Sequence, residues 1–280
     1  MSFLDHIENC NRHNLMNFVP LNMGNRRVGW VKRPLIPYFA AFPDVVQCGI
    51  DDIVINPALD TPAVLTKAMS RIAKVLTESG FTSPWGHESY AVGTRFGECL
   101  FELERAVAPV FGTRAYGLHL TGFVRDAANL LIWVPRRTLD RLTYPGKLDN
   151  TVAGGQPSQL SLAENLEKEC AEEAGFPSEL VRQALPVGTI SYRLETEHGL
   201  RDDLIFSYEL ELPTDFRPEN RDGEVEDFQL WPVERVMSVI DSTDRFKFNC
   251  NLVLIDFFIR HGLIKPSHPD FPQLCGGLIN

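Results

Sequence analysis

The sequence of 280 residues contains no C-x-x-C pair, because its cysteines stand far apart. A structural zinc site usually draws on closely spaced cysteines, so we expect no zinc site. Scattered cysteines are typical of reduced thiols in a reducing compartment, and most of them are expected to fill the core. The six are Cys10, Cys48, Cys99, Cys170, Cys250 and Cys275.

Long apolar runs are also missing. No stretch reaches about 18 uninterrupted apolar residues, the length that a membrane-spanning helix needs. The first residues, MSFLDHIENCNRH, have neither the basic start nor the apolar core of a secretory signal. We therefore expect a cytoplasmic protein with no membrane partner.

Basic charge is scarce, since 27 lysines and arginines face 37 acidic residues and leave a net charge of -10. Nucleic-acid binding normally depends on a basic surface, so no nucleic-acid partner is expected. An apolar content of 44% and a charged content of 23% are ordinary for a globular protein. A small-molecule partner, and a monomer or homodimer, are further expectations.

The chain is long enough for two ordinary domains. We place a boundary after Gly112, where the segment Pro109 to Gly112 interrupts a helical pattern and the sequence becomes richer in strands. This gives an N-terminal α+β domain over 1–112 and a second domain over 113–280. The first part has no evident chemical cluster, since His87 and Glu88 are better explained as polar loop residues.

Local patterns predict the elements of both parts. In the first part they predict helices over 1–19, from Pro34, from Val64 to Gly80 and over 98–112, a strand within 51–62 and an extended stretch over 89–97. In the second part they predict a hairpin of 115–124 and 129–137, a strand ending at Gly154 and Gly155, two strands around His198 and Gly199, a strand and helix over 226–240 and a helix over 248–263. Strands interspersed with helices indicate a mixed sheet between helical layers.

The most informative stretch is 151–176, in which a glycine pair leads into a helix that carries Glu169, Glu172 and Glu173. Carboxylates three and four positions apart share one face of a helix. Three oxygen ligands on a rigid face suit a hard divalent cation such as Mg²⁺, which often bridges to substrate phosphates. The alternative is a solvated acidic face on a surface helix.

The context of these carboxylates favours a site. Ser161 and Glu164 have the spacing of a capping box, which fixes the start of the helix. Gly175 is placed to end it as a C-terminal cap. The pair Gly154 and Gly155 allows the backbone to approach a metal or phosphate closely.

The stretch resembles the Nudix box, G-x5-E-x7-R-E-U-x-E-E-x-G-U, where U is a bulky apolar residue. Leu160 stands where the box has glutamate, Lys168 stands where it has arginine, and Cys170 is a milder departure at an apolar position. In the family the arginine helps to orient the catalytic glutamate, and a lysine cannot reproduce its two-pronged contact, which puts the turnover rate in question. The matching positions are Gly154, Glu169, Glu172, Glu173, Gly175 and Phe176.

Longer stretches resemble one branch of the Nudix hydrolases, the one related to thiamine pyrophosphokinase, which carries an N-terminal domain of unknown function. The resemblance implies an α/β fold: a Nudix α/β/α sandwich around a mixed sheet, preceded by a smaller α+β domain. It also implies metal-dependent cleavage of a phosphoanhydride, in thiamine diphosphate or its damaged analogues. The stretches are YGLHLTGFV, WVPRRTLDRLTYPGKLDNTVAGG, FRPENRDGEVEDFQLWPVE and FKFNCNLVLIDFFIRHG.

The resemblance further implies Mg²⁺, with Mn²⁺ as a substitute, and assigns site residues. Catalytic roles fall to Glu169, Glu173 and Lys168, with Glu169 also a candidate general base. The family often adds a carboxylate from beyond the box, and Glu226 is the first choice, whereas the residues DGEVED taken alone favour an exposed acidic loop. The implied metal-site residues are Glu169, Glu172, Glu173, Glu226 and Gly154.

Other residues are candidates for contacts with the substrate. Arginine offers a fork and lysine a point charge to a diphosphate, while carboxylates and amides can bond a ring. The alternative for each basic residue is a solvated surface position. The candidates are Arg136, Arg137, Lys147, Asp149, Asn150 and Glu224.

Two competing functions remain. A non-catalytic Nudix-like module for nucleotide binding or regulation is favoured by Leu160 and Lys168, and opposed by the complete set of three glutamates. A prenyl-diphosphate isomerase would have its catalytic cysteine near Val152, where the sequence has none. The hydrolase is the leading hypothesis.

Overall fold

The N-terminal part is built on a four-stranded sheet, in a computed structural model that describes residues 1–127, 129–141 and 143–279. The strand order is β2-β1-β4-β3, with β1 parallel to β4 and the other pairs antiparallel. Helix α3 buries an apolar stripe against this sheet, as its spacing predicted. The elements are α1 (Phe3–Cys10), β1 (Phe18–Met23), β2 (Arg26–Lys32), α2 (Ile36–Ala40), β3 (Val46–Cys48), β4 (Ile53–Ile55) and α3 (Pro62–Glu78).

The predicted helix over 98–112 is wrong. The chain forms a hairpin of β5 (Ser89–Val92) and β6 (Phe101–Glu104), then a 3-10 turn (Arg105–Val107) and the short helix α4 (Ala108–Phe111). Phe101 and Leu103 alternate with less buried neighbours, which is the period of a strand.

The predicted helix over 1–19 is also too long, because α1 ends at Cys10 and strand β1 begins at Phe18. Phe3 and Ile7 of α1 are buried in the core of the second part, together with apolar residues of a later helix. Helix α1 therefore packs with the second part of the chain, although it precedes the N-terminal sheet in sequence.

The second part contains a six-stranded mixed sheet. Its order is β10-β11-β7-β8-β12, with β9 paired to the first half of β7. Strands β7 and β11 are parallel, and the other pairs are antiparallel. The predicted hairpin, the strand at the glycine pair and the two strands around His198 and Gly199 all form. The strands are β7 (Arg114–Asp126), β8 (Asn129–Arg137), β9 (Val152–Gly155), β10 (Leu185–Glu195), β11 (Leu200–Glu211) and β12 (Val225–Pro232).

Helices cover both faces of this sheet, which confirms the predicted α/β/α sandwich. Helix α5 packs on one face, and α7, α8 and α9 form the other layer together with α1. Within the described residues, no helix combines the length and apolar character needed to traverse a bilayer. The helices are α5 (Leu162–Ala174), α6 (Ser178–Val181), α7 (Val233–Ser242), α8 (Cys250–Arg260) and α9 (Phe271–Gly276).

Candidate active site

Both ends of helix α5 are fixed by the caps that the sequence predicts. The Ser161 side chain accepts a hydrogen bond from the Glu164 N–H, and the Glu164 carboxylate accepts one from the Ser161 N–H at 2.9 Å. Gly175 ends the helix in the left-handed region, at φ +65°, where a side chain would add strain. Leu166 and Cys170 are buried against the sheet, so the helix holds its acidic face in a fixed orientation.

Lys168 holds two of the acidic side chains together. Its Nζ lies 3.1 Å from Glu169 Oε1 and 2.8 Å from Glu172 Oε2. Partial burial works against the charged ammonium, but the hydrogen bond to Glu172 and the charge of Glu169 prevail and raise the pKa of Lys168. Two carboxylates of the predicted site therefore already converge on one positive charge.

Glu173 faces the sheet. Its Oε2 accepts a hydrogen bond from the Ala153 N–H at 2.9 Å, which ties α5 to β9. Burial raises the pKa of Glu173 well above its usual value, and the charges of Asp149, Glu169 and Glu224 add to this rise. A cation near Glu173 would relieve this repulsion.

Glu169 lies against the glycine pair. Its side chain is 13% exposed, and burial raises its pKa. A Cβ built on Gly154 would lie 2.4–2.8 Å from the end of the Glu169 side chain, closer than atoms can approach. Glycine is therefore required at position 154 for Glu169 to keep this position.

The three glutamates do not form one ligand group. Among the described residues, no cluster of three or more histidine, cysteine or acidic side chains is arranged to hold a metal ion. Glu169 and Glu172 point to Lys168, whereas Glu173 is bound to the backbone. Two of the three carboxylates converge in this structure, and the three-carboxylate metal site remains a prediction. Their chemistry still fits a hard divalent cation, because these oxygens already hold a positive charge.

The two acidic candidates beyond the box lie in different surroundings. Glu226 pairs with Arg136 at 3.3 Å, and both side chains are about half exposed. Glu224 pairs with Arg141, and its charge contributes to the raised pKa of Glu173. Glu226 therefore stays the predicted additional metal ligand, and Glu224 stays a predicted substrate contact.

Arg137 and Asp149, two predicted substrate contacts, form a buried ion pair. Arg137 Nη1 lies 2.9 Å from Asp149 Oδ2, with both side chains less than one-tenth exposed. Asp149 also accepts a hydrogen bond from Cys250 Sγ and lies 3.6 Å from Lys247 Nζ. Lys147 pairs with Asp244 at the surface, so its contact with a substrate remains a prediction.

Asn150, another predicted substrate contact, lies below the surface. Its Oδ1 is 2.6 Å from Nδ1 of His119, and both side chains are buried. Burial lowers the pKa of His119 to about 4, because the charged ring would lose its hydration. Burial therefore keeps His119 neutral in the centre of the sheet, although the hydrogen bond to Asn150 acts in the opposite direction.

His119 is expected to make the fold sensitive to acid. Above pH 6.5 the ring is neutral in both states, but between pH 6.5 and 4 only the unfolded state takes up the proton. The free energy of unfolding should fall by about 3 kcal/mol over this range on account of His119. Denaturant unfolding at pH 7, 5 and 4 should show that the free energy of unfolding falls less steeply with acid in His119→Gln than in wild type. The exposed control His87→Asn should keep the wild-type slope, and a wild-type slope in His119→Gln would contradict the argument.

Sequence reasoning missed a contribution of the first part to this site. Tyr90, on β5, places its hydroxyl where a Cβ on Gly155 would be, at 1.8 Å, and Glu88 Oε1 lies 3.3 Å from the same point. Arg105 pairs with Glu88 at 2.7 Å. The alternation of Phe101 and Leu103 was the one local signal of a strand here, but no local pattern indicates what the hairpin packs against.

Comparison with known proteins gives relatives for both parts of the chain. The family described as "Domain of unknown function (DUF4743)" matches residues 2–115. Nudix hydrolase 24, chloroplastic, of Arabidopsis thaliana is 39% identical over 284 residues, which cover 99% of this chain and 78% of that protein. Nudix hydrolase 20, chloroplastic, of the same plant is 40% identical over 290 residues, with the same coverage of each chain.

A solved structure is similar to about half of the chain. It is the Nudix domain of Shewanella oneidensis NrtR in complex with ADP ribose, with 13% identity and a TM-score of 0.42 over 54% of this chain and 90% of that one. The two plant relatives are chloroplastic proteins, which contradicts the cytoplasmic location expected from the sequence.

Proposed function

Because the chain belongs to the Nudix hydrolase family, we propose that it hydrolyses a phosphoanhydride bond at the acidic face of α5, with Mg²⁺ or, in its place, Mn²⁺. The observation that carries this proposal is the convergence of Glu169 and Glu172 on the Lys168 ammonium. Carboxylates that hold one cation in a fixed geometry can hold another when a substrate brings it. The catalytic domain would span 113–280, with α1 packed into it.

The metal would neutralise charge on the phosphate oxygens and lower the pKa of a bound water. Glu169 and Glu172 would hold it, and Glu173 would fix the distance between α5 and β9. Glu169 is also the proposed general base, because its raised pKa brings it closer to the operating pH than that of an exposed glutamate. Lys168 would position Glu169, which is the role of the arginine in the Nudix box.

The proposed substrate is a thiamine diphosphate or a damaged analogue of it. The long stretches that resemble the thiamine-related branch support this choice. A ring would find aromatic side chains at Tyr144 and Phe248, whose centroids are 5.4 Å apart and which are both half-buried. Tyr144 has a φ of +52°, a strained conformation of the kind found at binding sites.

A panel of substrates tests the proposal. Thiamine diphosphate, oxythiamine diphosphate, ADP-ribose and nucleotide sugars are incubated with the full chain in Mg²⁺ or in EDTA, and the release of monophosphate or phosphate is measured. We expect release from at least one compound in Mg²⁺ and at least about a hundredfold less in EDTA, because the metal supplies the main charge stabilisation. Tight binding without release would favour the non-catalytic module.

A further inference from the structure

We infer that the β5–β6 hairpin completes the active site, and that Arg105 binds the phosphate groups of the substrate beside Glu169. The inference rests on the proposed function, and it assigns a role to the N-terminal part of the chain. It follows from three observations: the contact of the hairpin with β9, the free donors of Arg105 and the surrounding charges.

The hairpin is fixed to the glycine pair of the site. The hydroxyl of Tyr90, a side chain that is 7% exposed, fills the space over Gly155 that any other residue would occupy with its Cβ. One residue before Tyr90, the carbonyl of Ser89 accepts a hydrogen bond from the Ser158 N–H at 2.9 Å. The hairpin therefore lies directly on the segment that leads from β9 into α5.

Arg105 follows β6, and both its backbone and its side chain bind Glu88. Its N–H donates to the Glu88 carbonyl at 2.8 Å, and its Nη1 donates to the Glu88 carboxylate at 2.7 Å. The side chain is still 57% exposed. Within the described part of the chain, its guanidinium makes no other hydrogen bond, which leaves donors for a ligand. Arginine presents these donors in a planar fork that matches phosphate oxygens.

The charges around Arg105 place it at the site. The pKa of Arg105 is raised by Tyr90, Glu88 and Glu169. The charge of Arg105 in turn works against the raised pKa of Arg201 on β11, so the two guanidinium groups repel each other. A phosphate bound at Arg105 would relieve this repulsion. A surface ion pair between Arg105 and Glu88 would not by itself need Glu169 and Arg201 nearby.

The test compares Arg105 with another arginine of the N-terminal part that also forms an ion pair with a carboxylate. Arg71 contacts Asp44 at 2.5 Å and is 50% exposed, so Arg71→Ala is the matched control. Full-length wild type, Arg105→Ala, Arg105→Lys and Arg71→Ala are titrated with inorganic pyrophosphate in the presence of Ca²⁺ by calorimetry. KM and kcat are measured with the substrate that the panel identifies, and circular dichroism and thermal melting check the fold.

Arg105→Ala should weaken pyrophosphate binding and raise KM by about tenfold or more each, as loss of a charge-assisted hydrogen bond predicts, with a smaller change in kcat. Arg105→Lys should recover part of the binding, and Arg71→Ala should bind as wild type does. Unchanged binding and KM in Arg105→Ala would overturn the inference, and so would a lower melting temperature as its only effect.

The two proposals fail in different ways. If wild type hydrolyses a substrate and Arg105→Ala matches it in KM and pyrophosphate affinity, the inference is wrong and the proposed function stands. If wild type hydrolyses nothing on the panel but binds pyrophosphate in a manner that depends on Arg105, the anion site stands and the hydrolase is wrong. Absence of pyrophosphate binding to wild type would also overturn the inference.

Discussion

Replacing Glu169 with glutamine is expected to lower kcat by at least about a hundredfold, because an amide neither accepts the proton of a water nor carries charge to a cation. The position is tightly defined: Glu169 is held by Lys168, packed on Gly154 and only 13% exposed. The variant keeps the size of the side chain, so the packing against Gly154 is preserved. Steady-state kinetics with saturating Mg²⁺ and the substrate from the panel measure the effect.

The same helix offers a control for this variant. Glu167 is two residues away, 41% exposed and paired with Arg182 at 3.6 Å. Glu167→Gln should therefore retain wild-type kcat and KM. Comparable activity in Glu169→Gln and Glu167→Gln, with both variants folded, would remove Glu169 from the proposed mechanism.

Replacing Gly154 with alanine should lower kcat by about a hundredfold, the order expected when a catalytic group is displaced by about 1 Å. The new Cβ would overlap the end of the Glu169 side chain, which can rotate away about its own bonds. No backbone atom is among the three nearest to this Cβ, so the melting temperature should change little. Activity and stability are therefore expected to separate in this variant.

Gly276→Ala is the matched control, because a Cβ on Gly276 in α9 would meet nothing within 4 Å. It should leave kcat unchanged and keep or slightly raise the melting temperature, since alanine favours a helix over glycine. If Gly154→Ala loses stability together with activity, Glu169 cannot move aside, and the displacement argument is wrong.

Local features of the fold and site were predictable because their causes lie close together in the sequence. The capping residues Ser161 and Glu164 and the terminal Gly175 define α5, and the spacing of its glutamates defines their common face. The hairpin of β7 and β8 follows from two extended, largely apolar runs with a short connection between them. These signals need only neighbours within a few residues.

The missed features depend on contacts between distant segments. The docking of the β5–β6 hairpin on Gly155 joins segments that no periodic pattern links. The polar character of Arg137 and Asp149 predicts contacts with a substrate, but tertiary packing buries them as a pair. Tertiary contact overrides local character at each of these positions.

The path of α1 has a consequence for how proteins of this kind can diversify. Phe3 and Ile7 pack with residues of α8, so the opening helix belongs spatially to the layer built by the end of the chain. The two parts are thereby interlocked and are not exchangeable modules. A recombination that joined the N-terminal part of one relative to the C-terminal part of another would have to preserve the complementary surfaces of α1 and α8.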